Sequence, residues 1–247
     1  MQLHTKKLIT SAFALLLSVT FSFGQAKMTV DSVFAKYYTA TGGEKLWDNI
    51  NNYSMKRTYS SNSSADYDSQ IYVSMPDKAM SKTKSIMRRD FVYGVKGREG
   101  WLKIPIGGSD KAPRFQVKDL SQPEQDIMRL EMFDLLAPFI NYKDRGLVAT
   151  YVGLDQVDGV PTHQVELQGQ GVKYNLFFDD KTGLLKRQRL AQAGAVITTD
   201  FGDYKKSKYG ITYPSTLVET SSRDNSKITI VSEVVLNETI APANFQR

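Results

Sequence analysis

The sequence predicts a mainly β protein: a curved antiparallel sheet with a few helices packed on it. Three observations predict it. Runs of alternating apolar and polar residues recur every 10–14 residues through the C-terminal half. Turn signals such as Asp158-Gly159 and Asp179-Asp180-Lys181-Thr182-Gly183 separate them. Helical periodicity is confined to a segment near the N-terminus and one longer segment in mid-chain. No internal repeat, low-complexity tract or linker divides the chain. About 220 residues are ample for one core, so 27–247 reads as a single domain.

The chain opens Met1-Gln2-Leu3-His4-Thr5-Lys6-Lys7, and an apolar, small-residue run follows from Leu8 to Gly24. A basic n-region before an apolar h-region is the pattern of a secretory signal peptide. Ser22 and Gly24 have the −3 and −1 spacing of a cleavage site, and Gly24 with Ala26 offers a second frame. The expected leader is 1–24, with cleavage near 24–26. The alternative is a retained anchor. Against it, the run is about 17 residues, the lower limit for a spanning helix, and Ser11, Ser18, Thr20 and Ser22 dilute it. The chain has no cysteine. It therefore has no residue to acylate as a lipoprotein and no disulfide, and its stability must come from its core. The expected location is the periplasm, as an exported soluble protein.

The formal charge is +6, of which Lys6 and Lys7 belong to the leader, leaving +4. That weak bias suits either an anionic lipid surface or a mildly basic surface with no partner. Without a basic tract, an exported chain is a poor binder of nucleic acid.

The first mature segment reads helical, capped by Asp31, with Val33, Phe34, Tyr37 and Tyr38 on its apolar face. Gly42-Gly43 ends it, and a short helix from Glu44 to Ile50 follows. Strands are expected over 52–60, 67–75, 79–86, 89–95 and 98–104. The segment from Ile104 through Gly107-Gly108 to Pro113 reads as a loop, a mobile rim. Ser121-Gln122-Pro123-Glu124 is a capping box with proline in the first turn. The helix it opens should run to about 137, where Pro138 stops it. Its apolar residues cover so much of its surface that burial on most sides is expected. Hairpin strands then follow to 236.

Few residues offer chemistry. His163 is the only histidine outside the leader, and it is expected to be a buried or edge histidine with a hydrogen-bond partner. One histidine without cysteine makes no zinc site. Asp155, Asp158, Asp179 and Asp180 read as turn residues without calcium-loop spacing, and Gly107-Gly108 lacks a phosphate-loop ending. No cofactor is expected. Among carboxylates only Glu131 merits a test for acid–base catalysis. It is expected on the polar edge of its helix with Arg129 and Asp134.

The order of several motifs is informative together. Thr41-Gly42-Gly43-Glu44-Lys45-Leu46 ends the first helix, and Gly100-Trp101 follows a turn. Then come Gly153…Val157-Asp158-Gly159-Val160-Pro161-Thr162-His163, Phe177-Phe178-Asp179-Asp180-Lys181-Thr182-Gly183-Leu184-Leu185 and Asp203-Tyr204…Gly210-Ile211…Pro214. This set resembles the LolA/LolB-like outer-membrane lipoprotein-carrier superfamily, in the form common among exported proteins of the Bacteroidota, over nearly the whole mature chain. The resemblance implies an incomplete β-barrel with helices covering its open side and an apolar space that binds acyl chains. It implies a lipid or acylated protein as partner, a transient envelope protein partner, and peripheral contact with the membrane. The chain is longer than a minimal carrier. The resemblance assigns no residue here to the arginine or the protruding apolar loop that the family uses for hand-over.

Under that reading the candidate ligand-binding residues are Trp101, Met128, Met132, Phe133, Leu136, Phe139, Tyr174 and Phe178. Methionine adapts to variable ligand shapes. For any one of these residues, filling a solid core is the more ordinary role. An acyl chain of about 15 methylenes gains on the order of 12 kcal/mol gross on burial, enough to be held in water. Three functions compete. A carrier needs an internal void. An interaction module of the envelope needs a solid core and an exposed apolar patch. A hydrolase needs converging carboxylates in a cleft.

Overall fold

The computed structural model describes residues 28–109, 112–192 and 194–247. The expected leader and its cleavage positions lie outside them. Two helices open the described chain, α1 (Val30–Ala40) and α2 (Glu44–Asp48). Six strands follow: β1 (Asn52–Ser61), β2 (Tyr67–Ser74), β3 (Ala79–Ile86), β4 (Arg89–Lys96), β5 (Glu99–Ser109) and β6 (Ala112–Asp119). After α3 (Gln122–Asp134) come β7 (Val148–Val157), β8 (Val160–Gly169), β9 (Val172–Asp179), β10 (Leu185–Gln192), β11 (Ala195–Lys206), β12 (Thr212–Ser221) and β13 (Lys227–Leu236). A 3-10 turn, Pro242–Phe245, ends the fold.

All the strands join one sheet in the order β6-β5-β4-β3-β2-β1-β13-β12-β11-β10-β9-β8-β7, and the two edges do not meet. Two meanders are thus zipped together by the antiparallel pair β1–β13, from Tyr53 opposite Leu236 to Ser61 opposite Ile228. One connection must travel from edge β6 to edge β7. It carries α3 and the buried turns Leu136–Ile140 across the sheet's inner face. The sheet is an incomplete barrel and this crossing covers its open side.

Local sequence explains the elements. Thr29, not Asp31, caps α1: its hydroxyl accepts from the Ser32 amide in a reciprocal capping box. Ser121 and Glu124 form the expected capping box of α3. The segment expected as a loop around Gly107 is instead the β5–β6 hairpin, with its register shifted between Pro105 and Gly107. A bulge accommodates proline and glycine that a regular ladder would not.

One end of the interior is solid. Phe34 stacks on Phe139 with ring centroids 4.6 Å apart, and Tyr37 and Phe178 meet Phe139 at 5.0 and 5.4 Å. The Trp47 indole donates to the Thr41 hydroxyl at 2.9 Å. This packing fixes α1 and α2 over the sheet.

Candidate functional site

The site arises from what the strands do beyond that packed end. Alternate residues of a strand share a face. On β1 the inward residues Tyr53 and Met55 are followed by Arg57. On β3 Met80 is followed by Lys82 and Lys84, and on β12 Leu217 by Glu219. Cross-strand pairing lines up Ser232, Arg57, Ser69 and Lys84 as a polar row across four strands. Arg57 is 7% exposed.

Helix α3 lies over this region. Its positions 127, 130, 131 and 134 have the spacing of one helical face, so Glu131 points inward with Ile127 and Leu130. The expected placement on a polar edge with Arg129 is corrected by that spacing. Burial on most sides is also corrected: only Met128 and Met132 are buried, and Ile127 is 49% exposed.

Polar ties strap the helix to the sheet. The Tyr53 hydroxyl donates to the Met132 carbonyl at 2.8 Å. Lys82 donates to Glu131 Oε1 at 2.6 Å. The Tyr174 hydroxyl donates to Asp134 Oδ2 at 2.7 Å, and Arg145 donates to Asp134 Oδ1 at 3.1 Å. Arg57 Nη2 reaches the Leu135 carbonyl at 3.4 Å, the longest of these links.

Between α3 and the sheet remains an open-mouthed cavity of about 330 Å³. Arg57, Lys82, Glu131 and Glu219 give it a charged wall. Leu190, Ile197, Phe201 and Leu217 from the sheet and Ile127, Leu130 and Leu135 from the helix give it an apolar one. A smaller space of about 180 Å³ shares Lys82, Ile127 and Glu131 with it and adds Lys84, Tyr93 and Met128. Tyr59 and Tyr67 stack at 4.3 Å nearby, and the Lys84 ammonium lies 5.2 Å from the Tyr67 ring.

Burial, and then the Glu131 carboxylate, push the pKa of Glu219 above the ordinary carboxylate value, while Arg57 and Lys82 pull it back. Burial likewise raises that of Asp134 against the opposing pull of Arg145 and Tyr174. Burial, and then Lys82, lower the pKa of Lys84.

The eight expected ligand contacts fall in different places. Tyr174 lines the main cavity, and Met128 lines its smaller neighbour. Met132 and Phe133 line a hollow of about 400 Å³ on the other flank of α3, where the Arg145 guanidinium lies 4.5 Å over the Phe133 ring. Leu136 is buried beside Arg57 and Leu135. Phe139 and Phe178 belong to the packed aromatic end. Trp101 is on the opposite face of the sheet. It pairs with Gly94, whose neighbour Val95 points into the core, and a Cβ at Gly94 would overlap its ring.

His163 has the partners expected of a structural histidine. Its Nε2 is 2.7 Å from Asp180 Oδ1, and its Nδ1 is 3.1 Å from the Tyr151 hydroxyl. Carboxylates do converge on the cavity, but Glu131 and Asp134 are committed to ion pairs. Arg57, Lys82 and Glu219 were not singled out from sequence. Strand parity could have found them, because each shares its face with core residues two positions away.

No protein-family model matches the chain, and no curated protein matches its sequence. Solved structures do match its shape. A LolA superfamily protein from Nitrosomonas europaea aligns over 89% of this chain and 98% of its own, with a TM-score of 0.60 and 12% identity. An outer membrane lipoprotein-sorting protein domain from Vibrio parahaemolyticus aligns over 86% and 94%, with a TM-score of 0.57 and 12% identity. A DUF1329 family protein from Desulfovibrio piger aligns over 87% and 97%, again at 0.57 and 12%. An open antiparallel sheet, crossed on its inner face by a strapped helix and matched over 86–89% of the chain by these structures, is the LolA-like fold.

Proposed function

We propose that this protein is a periplasmic carrier that holds an acyl chain of a lipid or lipid-modified protein between α3 and the sheet. The observation that supports it is the cavity under α3, a space that a solid core would have filled. Its volume lies at the small end of ligand sites, about 300–1,000 Å³, and suits one chain rather than several. The helix above it is held by discrete polar ties and by the buried Met128 and Met132, and it can lift without dismantling the aromatic end. Met128 and Met132 on its underside would then join the wall, with Tyr174 already in place. Arg57, with its long link to Leu135, fits the arginine that the family resemblance asks for.

The turn between β3 and β4 fits the protruding apolar loop. Met87 is 83% exposed and Arg88 and Arg89 follow it. That pairing of an apolar tip with basic residues suits contact with an anionic bilayer surface. Among the described residues no helix is long and apolar enough to cross a membrane.

The test is titration of delipidated mature protein with the neutral fluorescent probe N-phenyl-1-naphthylamine. Saturable uptake at one site, competed by a long-chain lipid, supports the carrier. Fluorescence no greater than that of a protein without a cavity counts against it.

A second reading, an interaction module, has one observation in its favour. Edge strand β7 exposes Val148, Val152 and Leu154, and an unpaired apolar edge can add a partner's strand. Loss of a co-purifying envelope protein on Val152→Lys, with probe uptake absent, would favour that reading.

A further inference from the structure

We infer that the ligand of the α3 cavity is a single-chain amphiphile ending in a carboxylate, and that Arg57 receives that carboxylate. The inference rests on the carrier reading and narrows its cargo to a free acid, since the chain of a lipid-modified protein ends in an ester or amide rather than a carboxylate. Arg57 is buried on β1 and lines the cavity, yet its charge is not neutralised by contact. No carboxylate among the described residues forms an ion pair with it. Its hydrogen bond by geometry there is the 3.4 Å link to the Leu135 carbonyl and its Nε has no partner, while Tyr59, Glu219 and Glu131 around it favour its charged form without making an ion pair. A guanidinium presents a planar fork of donors, is always charged and is costly to bury unpaired. A protein that buries one beside an empty space leaves room for an anion to complete it.

The surrounding charges agree. Lys82 and Glu131 neutralise each other. Asp134, which also lines the cavity, pairs with Arg145, and Glu219 is the remaining acid, its pKa raised by burial and then by Glu131. Lys84, on the same polar row, lines the adjoining smaller space. The opposite wall, Leu190, Ile197, Phe201 and Leu217, is where the chain would run. A carboxylate fits the arginine fork bidentately. The small volume argues against a bulky phosphodiester head.

The experiment displaces N-phenyl-1-naphthylamine from wild-type protein with dodecanoate, dodecanol and dodecyl phosphate in parallel. These share a chain and differ at the end group. Dodecanoate is expected to displace the probe at about tenfold lower concentration than dodecanol, the scale of one charge-assisted contact. In Arg57→Met the ratio of the two mid-points should collapse to about twofold or less. A ratio within one protein cancels any general change in apolar affinity. Equal potency of acid and alcohol on wild type would overturn the inference while leaving the carrier reading intact. So would dodecyl phosphate binding more tightly than dodecanoate, or an unchanged ratio in the folded variant. Absence of probe uptake by wild type would overturn both readings. The wild-type series decides the matter even if Arg57→Met does not fold.

Discussion

Glu219 illustrates how one inward residue sets a pH dependence. Its folded pKa is raised above the ordinary 4.5, chiefly by burial, so above that pH the folded chain holds a proton that the unfolded chain has lost. The stability linked to it is complete below 4.5 and is lost as pH rises through the folded value. Asp134, raised above its ordinary 3.8, acts in the same direction. Lys84, lowered from 10.5, acts with opposite sign and only in the alkaline window below that value. Urea unfolding from pH 4.5 upward should therefore show declining stability in wild type and a shallower decline in Glu219→Gln. An equal slope in the two proteins would show that Glu219 is not the group responsible. A second residue-scale test lies at the β3–β4 turn. Met87 and Arg88 form a two-residue hairpin loop with φ of 50° and 61°, a conformation that suits Asn-Gly. Replacing them with Asn-Gly should stabilise the fold by about 1 kcal/mol in thermal melts. No gain would mean the turn carries no strain.

At the scale of the element, α3 decides whether the cavity can open. The Tyr53 hydroxyl ties its backbone to β1. Tyr53→Phe should cost about 1 kcal/mol and raise amide hydrogen exchange in α3 more than in β1. Uniform exchange across both would place the tie outside the opening motion. Met132 is 2% exposed and belongs to the core. Met132→Asp should cost about 3 kcal/mol or more by burying an unpaired charge, seen as loss of the cooperative melt. A stable variant with normal probe uptake would contradict both its core position and the cavity. The start of α3 was legible in sequence because Ser121, Pro123 and Glu124 are local signals. Its facing was not. Ile127, Leu130, Met128, Met132 and Phe133 are all apolar, and which of them meets space, sheet or solvent depends on where the strands beneath it stand.

For the whole molecule, the hairpins were readable from alternation and turns, and the strands that they predicted are present. The closing pair β1–β13 was not readable, since it joins residues some 180 apart in the chain with no local signal. β6 was missed because Pro105, Gly107 and Pro113 mark both loops and bulged edge hairpins. The candidate site was only partly legible. Tyr174, expected beside a cavity, lines this one, but the charged wall was overlooked, because polarity suggests solvent until the sheet's curvature turns Arg57, Lys82 and Glu219 inward. The aromatic residues expected to line a void, Phe139 and Phe178 among them, instead fill the end that makes the fold rigid.

The central claim is that an acyl chain occupies the space between α3 and the sheet. Native mass spectrometry of mature protein, purified from its own envelope without detergent and followed by lipid extraction, tests it most directly. The expected result is a bound acyl species at one per chain, released on unfolding and ending in a carboxylate. Protein of unadorned mass that also takes up no N-phenyl-1-naphthylamine would contradict it.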